Sequence, residues 1–291
     1  MNAETQYLET ISRIIYDGIQ KTDRTGVGTS SVFGNNMSFN LEGNTLPVFT
    51  TRRTFFRGAV EELLWILRGD TDAKHLQEKN IHIWDGNTTR DFLDNRGLSD
   101  LEEGDAGYIY GQVLRHYGAE YEGCGADYTG KGVDQLERVV NMLKNDPHSR
   151  RMMTTHYDPA KLDRGCLEPC HTFQQFYVDD KDRLHNILYM RSVDWMCGCP
   201  LNVIVYSLWN RLMADVCGLT SGSFTLMSGD THIYKNHLDG AMTQLNRQPY
   251  PFPTVNIKKV NTIQDIENLC YEDFELVGYK HHEPIKYEMA V

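Results

Sequence analysis

No stretch of the 291-residue sequence approaches the roughly 20 consecutive apolar residues of a membrane span. Positive charge is also scarce. Lys and Arg number 29 against 40 Asp and Glu, a formal net charge of −11. Broad DNA or RNA binding is therefore not expected, although a local pocket for one phosphate is still allowed. Cysteine is sparse and odd in number: seven residues over a long chain suit a reducing compartment better than a disulfide framework. Repeats, low-complexity tracts and linker-like segments are absent, so one domain over residues 1–291 is expected. The opening Met1-Asn2-Ala3-Glu4 lacks the basic and then apolar pattern of a signal peptide, which predicts a cytoplasmic protein. With 40% apolar and 24% charged residues, the composition is that of a soluble globular chain with a sizeable core.

Apolar spacing at Leu8, Ile11, Ile14, Ile15 and Ile19 predicts a helix over residues 4–19. The Asp23-Arg24-Thr25-Gly26-Val27-Gly28-Thr29 stretch reads as a turn that exposes Arg24. Alternation predicts a strand over 30–41. Residues 59–67 form an apolar helix in which Glu61 faces solvent and Glu62 the interior. Residues 86–132, rich in Gly, Asp and Asn, read as loops around a short ordered piece, Tyr108-Ile109-Tyr110. Further helices are predicted over 133–145, 201–217 and 236–246, and strands over 152–157, 171–178, 184–193 and 224–228. Consecutive strands with separate helices argue for an α+β fold rather than a doubly wound parallel sheet.

The chemistry is concentrated in Pro169-Cys170-His171, Met190-Arg191-Ser192-Val193-Asp194 and Gly198-Cys199-Pro200-Leu201-Asn202. A thiol is a nucleophile as thiolate, and nearby guanidinium groups favour that form. Arginine beside serine suits a phosphate, and an asparagine amide can donate and accept on the edge of a pyrimidine. A carboxylate on the inner face of its helix, Glu62, would have a raised pKa and could relay protons. Cys166/Cys170 and Cys197/Cys199 lack the two-residue gap of zinc-binding pairs, and no matching histidine pair follows, so no metal is expected.

These stretches, with Asp23-Arg24-Thr25-Gly26, Glu62-Leu63-Leu64-Trp65, Ile83-Trp84-Asp85, Ser149-Arg150-Arg151, Gly229-Asp230, His232, Tyr234 and the terminal Met289-Ala290-Val291, resemble thymidylate synthases from end to end. The resemblance implies an α+β homodimer, paired across a mixed sheet with flanking helices. It also implies one-carbon transfer from 5,10-methylenetetrahydrofolate to C5 of a deoxypyrimidine monophosphate. Cys170 would add to C6 of the base, Glu62 would relay protons, and Tyr110, His171 and Asp194 would complete the catalytic network. Arg24, Arg191 and Ser192 would hold the phosphate, joined by Arg150 and Arg151 from the other subunit. His232 and Tyr234 would bind the 3′-hydroxyl, and Asn202 would read uracil, where an aspartate in related enzymes favours cytosine. Ile83, Trp84, Asn87, Leu167, Asp194, Gly198, Leu201, Ala290 and Val291 would contact the folate.

Departures from the family pattern are concentrated in the expected cleft. Met190 stands for a glutamine, Val205 for a serine, Leu201 for a phenylalanine and Leu114 for a tryptophan. His156-Tyr157-Asp158 replaces Ala-Trp-Asn, and Glu168 precedes the Pro-Cys pair. Loss of the glutamine and serine removes hydrogen-bond partners around the base. Glu168, His156 or Asp158 could then orient a water that traps the methylene intermediate. Met-Arg-Ser also resembles the deoxycytidylate hydroxymethylase branch, while Asn202 points to uracil. The leading expectation is thus a deoxyuridylate 5-hydroxymethyltransferase of the phage type, in which case the host cytoplasm is its location. An ordinary thymidylate synthase is the alternative, favoured by Trp84 and the Ala290-Val291 tail. A silent nucleotide- or RNA-binding relative is the second alternative.

Overall fold

A computed structural model describes residues 3–23 and 25–288; Arg24, Ala290 and Val291 lie outside them. The chain opens with α1 (Thr5–Asp17), β1 (Ile19–Lys21) and β2 (Thr29–Asn40). Five helices follow: α2 (Phe56–Leu67), α3 (Lys74–Gln77), α4 (Asp85–Thr88), α5 (Arg90–Asn95) and α6 (Tyr110–Arg115). Then come α7 (Gln135–Asn145), β3 (Met153–Thr155), β4 (His171–Val178), β5 (Arg183–Asp194), α8 (Gly198–Cys217) and β6 (Thr220–Tyr234). The last elements are α9 (Leu238–Leu245), β7 (Thr254–Ile257), α10 (Ile263–Glu267) and β8 (Phe274–Val277). Among the described residues no helix is long and apolar enough to cross a membrane.

Six strands form one sheet in the order β1-β2-β6-β5-β4-β3, and β7 pairs with β8 separately. All neighbours in the large sheet are antiparallel except β5 and β6. The fold is therefore α+β with a mixed sheet, as expected. Helix α8 is buried along nearly its whole length and covers one sheet face. Its polar residues reach the sheet: Asn210 Nδ2 donates to Leu184 O at 2.9 Å and to Asn186 Oδ1 at 3.0 Å. On the opposite face, Tyr177, Ile187 and Met227 are exposed, and Phe173 stacks on Tyr189 with ring centres 5.5 Å apart. Both sheet edges are strands of three residues. Where β2 outruns β1, the Gln6 side-chain amide bonds both Ser38 N and Ser38 O.

Several expectations are corrected. The first helix stops at Asp17, and Ile19 is an exposed strand residue. Gly18 is extended there, and a Cβ on it would lie 2.2 Å from Ile14 O and 2.3 Å from Ser30 Oγ. Glu61 does not face solvent: it is buried against Lys79, with Nζ 2.7 Å from its carboxylate. Residues 86–132 hold α5, α6 and most of α4 rather than loops alone. Val133 precedes its helix because Asp134 caps α7, accepting from Glu137 N at 2.9 Å. Strand β6 runs for 15 residues because β2 and β5 satisfy its backbone on both sides.

Glu4, fully buried, ties α1 to the segment before α2. Its carboxylate accepts from Thr50 N and Thr51 N and from both threonine hydroxyls at 2.6–3.0 Å. Removing it strands four buried donors, so Glu4→Ala should lose about 2–4 kcal/mol of stability. Urea unfolding checks this; an unchanged midpoint would mean water replaces the carboxylate without cost.

Candidate active site

Strand directions bring the candidate residues together. Parallel pairing sets Asp194 at the end of β5 beside His232 near the end of β6, while antiparallel β4 starts with His171 opposite Met190. The first turn of α8 closes the far side. The result is a cleft of 260 Å³ lined by Glu62, Trp84, Tyr110, Cys170, His171 and Asn202, among others. Ile83, Asn87, Leu167, Met190, Ser192, Asp194, Gly198, Leu201 and Tyr234 also line it. A second cavity of 470 Å³ adjoins it and shares Leu167, Cys170, Ser192, Asp194 and Tyr234 while adding Arg191, His232, Glu168, Phe92 and Arg96. Cys170 stands where the two meet.

At the cleft floor Trp84 Nε1 donates to Glu62 Oε1 at 3.0 Å. Burial lifts the Glu62 carboxyl to about 7, and the indole hydrogen bond opposes that rise. The Trp84 ring packs edge-on against Tyr110, whose backbone opens α6 at a φ of 22°, unusual for a large side chain. Tyr110 Oη accepts from Cys170 N at 3.0 Å, which fixes the start of the thiol-bearing turn. Burial pushes the phenol well above its ordinary value, so it stays a neutral hydroxyl.

Behind the thiol, Tyr206 Oη and His171 Nδ1 are 2.9 Å apart, and His171 Nε2 and Asn202 Oδ1 are 3.1 Å apart. Burial drives the imidazole down to about 3, so it is neutral. An amide oxygen only accepts, so Nε2 carries the proton and the Tyr206 hydroxyl donates to Nδ1. Asn202 is left with its NH₂ group toward Met190 Sδ at 3.6 Å, a weak acceptor. The amide thus keeps a donor and a second carbonyl lone pair for a bound ring.

In the outer cavity Arg191 is held from beneath: Nε donates to Pro169 O at 2.9 Å and Nη2 to Glu168 O at 2.7 Å. These bonds to carbonyls orient the fork without neutralising it. His232 Nδ1 lies 3.0 Å from Asp230 Oδ1, and Lys21 Nζ lies 3.0 Å from Asp230 Oδ2. The loop that carries Arg24 folds around Asp23, whose carboxylate accepts from Thr25 N at 3.0 Å and Gly28 N at 2.7 Å. Burial is the largest single effect and raises the Asp23 carboxyl, but the bonds from the Thr25 hydroxyl, Thr25 N and Gly28 N together outweigh it and hold the carboxyl below its usual range. Arg150 and Arg151 sit exposed on the turn between α7 and β3, outside both cavities.

Four of the expected specificity positions do not reach the cleft. His156 is fully buried behind Tyr110 and against Trp209, and Asp158 meets Tyr108 Oη at 3.4 Å, so neither can orient a water over a bound base. Val205 and Leu114 are fully buried in α8 and α6 and serve packing. Met190 does line the inner cavity and Glu168 the outer one. Phe92, Arg96 and Cys197 also line the cavities and were not anticipated. A readable signal existed for the first two: Thr89 accepts from Phe92 N as the N-cap of α5, a start pattern visible in the sequence.

The family model for thymidylate synthase matches residues 5–291. The chain is similar to a bifunctional dihydrofolate reductase-thymidylate synthase of Paramecium tetraurelia, 46% identical over 99% of this chain and 61% of the relative. A protein of the same name from Leishmania amazonensis is 48% identical over 99% of this chain and 55% of the relative. A probable thymidylate synthase of Schizosaccharomyces pombe is 46% identical over 99% and 47%. The chain thus spans between 47% and 61% of the length of these relatives.

Glu62 makes stability depend on pH with a definite sign. Its folded pKa lies above the unfolded value, so the folded state binds the extra proton between them. Stability is fully present below the unfolded value of 4.5 and falls as pH rises through about 7. Allowing for water in the cleft, the loss should be roughly 2–3 kcal/mol. Urea unfolding at acid and neutral pH of the wild type and Glu62→Gln checks this: the substitution should flatten that part of the profile. An equal slope in both proteins would show that Glu62 is already ionised at low pH.

Proposed function

The chain belongs to the thymidylate synthase family, and from that premise we propose that it methylates dUMP at C5 to give dTMP, with 5,10-methylenetetrahydrofolate as co-substrate. Cys170 adds to C6 of the ring, which makes C5 the nucleophile. Arg191 and Ser192, with Arg24, bind the phosphate in the outer cavity, and His232 and Tyr234 bind the sugar hydroxyl. Asn202 meets O4 with its NH₂ group and the N3 proton with its carbonyl. Glu62, near neutrality, exchanges protons with water beside O4. The folate supplies the one-carbon unit and the hydride; its ring fits the apolar wall of Trp84, Leu167 and Leu201, with Asp194 and Asn87 as polar partners.

Trp84 carries the choice of product. Its ring is 7% exposed, with its N–H spent on Glu62, an edge-on contact to Tyr110 and a tilted one to Trp65. A packed indole over the reacting carbon excludes water and leaves hydride as the nucleophile. The similarity to relatives named as thymidylate synthases supports the same outcome. This ranks the synthase above the hydroxymethyltransferase that the sequence led us to expect. Hydroxymethylation remains the second reading, on one observation: Met190 Sδ replaces a strong acceptor beside Asn202, which frees polar capacity for a water.

We further propose a homodimer through the outer sheet face, with Arg150 and Arg151 reaching the partner's phosphate pocket. The exposed apolar residues of that face and the free position of the arginine turn support it.

Incubation with dUMP and methylenetetrahydrofolate should yield dTMP and dihydrofolate, and Cys170→Ser should yield neither. A product heavier by a hydroxymethyl group, with tetrahydrofolate released, would replace this reading by the second. Separately, Asn202→Asp should shift kcat/KM toward dCMP by about tenfold or more, because the donor meeting O4 is lost. An unchanged dUMP/dCMP ratio would remove Asn202 from base recognition.

A further inference from the structure

Cys197 faces the inner cleft but has no part in the chemistry above. Its Sγ, a carboxylate oxygen of Asp194 and a ring nitrogen of His237 all lie within 4.8 Å of one another. His237 is 1% exposed, and its Nε2 lies 2.7 Å from Glu288 O. A carbonyl only accepts, so Nε2 carries the proton and Nδ1 presents a bare lone pair. Among the described residues that buried Nδ1 has no hydrogen-bond partner. A histidine that donates one N–H to a backbone carbonyl and leaves the other nitrogen bare is arranged as metal-ligating histidines are. Asp194 is similarly oriented, with Oδ1 accepting from Met196 N at 2.9 Å and Cys197 N at 3.1 Å.

We propose that Asp194, Cys197 and His237 form a site for a divalent ion of the zinc class, and that metal and folate exclude each other there. One thiolate, one imidazole and one carboxylate make a mixed donor set for a tetrahedral ion with a fourth position open to the cleft. Ligand atoms of such an ion stand closer together than 4.8 Å, so small rotations of Cys197 and Asp194 complete the site. The metal–sulfur bond forms as the thiol proton leaves to water. Arg52 lies near enough to favour the thiolate, against the burial and the Asp194 charge that hold the thiol protonated without metal. Exclusion of folate rests on the reading of Asp194 as a folate contact: a carboxylate bound to metal is no longer free to accept from the pterin. The site would thus be inhibitory rather than catalytic.

The test uses the full chain, stripped with chelator, in a Cys270→Ser background, since exposed Cys270 and Asp273 form a competing thiol–carboxylate pair at 3.4 Å. Titration with Co²⁺ should give one equivalent of a thiolate-to-cobalt charge-transfer band, abolished by Zn²⁺. C197S should lose the band and weaken cobalt binding at least about tenfold, and H237Q should weaken it similarly. Zn²⁺ should also raise the apparent KM for the folate and leave that for dUMP unchanged, each variant being compared with its own metal-free rate. No band, or a band that survives both substitutions, overturns the site. A band sensitive to C197S with no effect on folate binding upholds the site and removes Asp194 from folate recognition.

Discussion

A polar stripe on a buried helix holds the catalytic side of this molecule in register. Asn202, Tyr206 and Asn210 are spaced four residues apart on α8, so they share a face. That face meets β4 and β5 through His171, Asn186 and the Leu184 carbonyl. An apolar helix can slide or rotate against a sheet at little cost, whereas each of these buried polar groups loses its partner if it moves. The first member of the stripe, Asn202, is also the residue proposed to face the base. Helix position, imidazole tautomer and the orientation of the Asn202 amide are therefore one constraint.

The same low-polarity setting explains how three ionisable groups around the Cys170 cleft can coexist. Tyr110 and His171 are kept neutral by burial, and Glu62 is brought to the middle of the physiological range. Arg191, which lines the same cavity as Cys170, brings a fixed positive charge to that side of the cleft. Met190 fits this pattern. A thioether beside Asn202 adds volume and a soft contact but no competing strong acceptor, so the amide keeps its donor for the ring it is proposed to bind.

Much of this was legible beforehand, but by different routes. Periodicity gave α1, α2, α8 and the middle strands, because those elements bury one face or all faces. It could not find the short helices between 86 and 132: pieces of four to six residues are too brief to show a period, and their Gly, Asp and Asn content looks like loop. Strand β6 was read five residues long because its serines, threonines and Asp230 resemble turn residues; its neighbours on both sides override that preference. Glu61 looked solvent-facing because nothing in the sequence pairs it with Lys79, eighteen positions on. That Cys170, Arg191 and Asn202 gather round one cleft is legible from residue types and from the family pattern. Depth was not. His156, just past β3, and Val205, on α8, look like cleft residues by position in the chain, yet both side chains are turned into the core.

The three-residue strands at both sheet edges have a further consequence. Unpaired strand rims are where sheets recruit other chains, and the large sheet shortens its rim: β1 and β3 are short, and Gln6 occupies the backbone groups of Ser38 on β2 beyond β1. The large sheet thus offers little edge, while its apolar broad side stays available. Paired through that broad side as proposed, two copies would meet flat side to flat side and each would cover the other's apolar face. Association through that face would end at two.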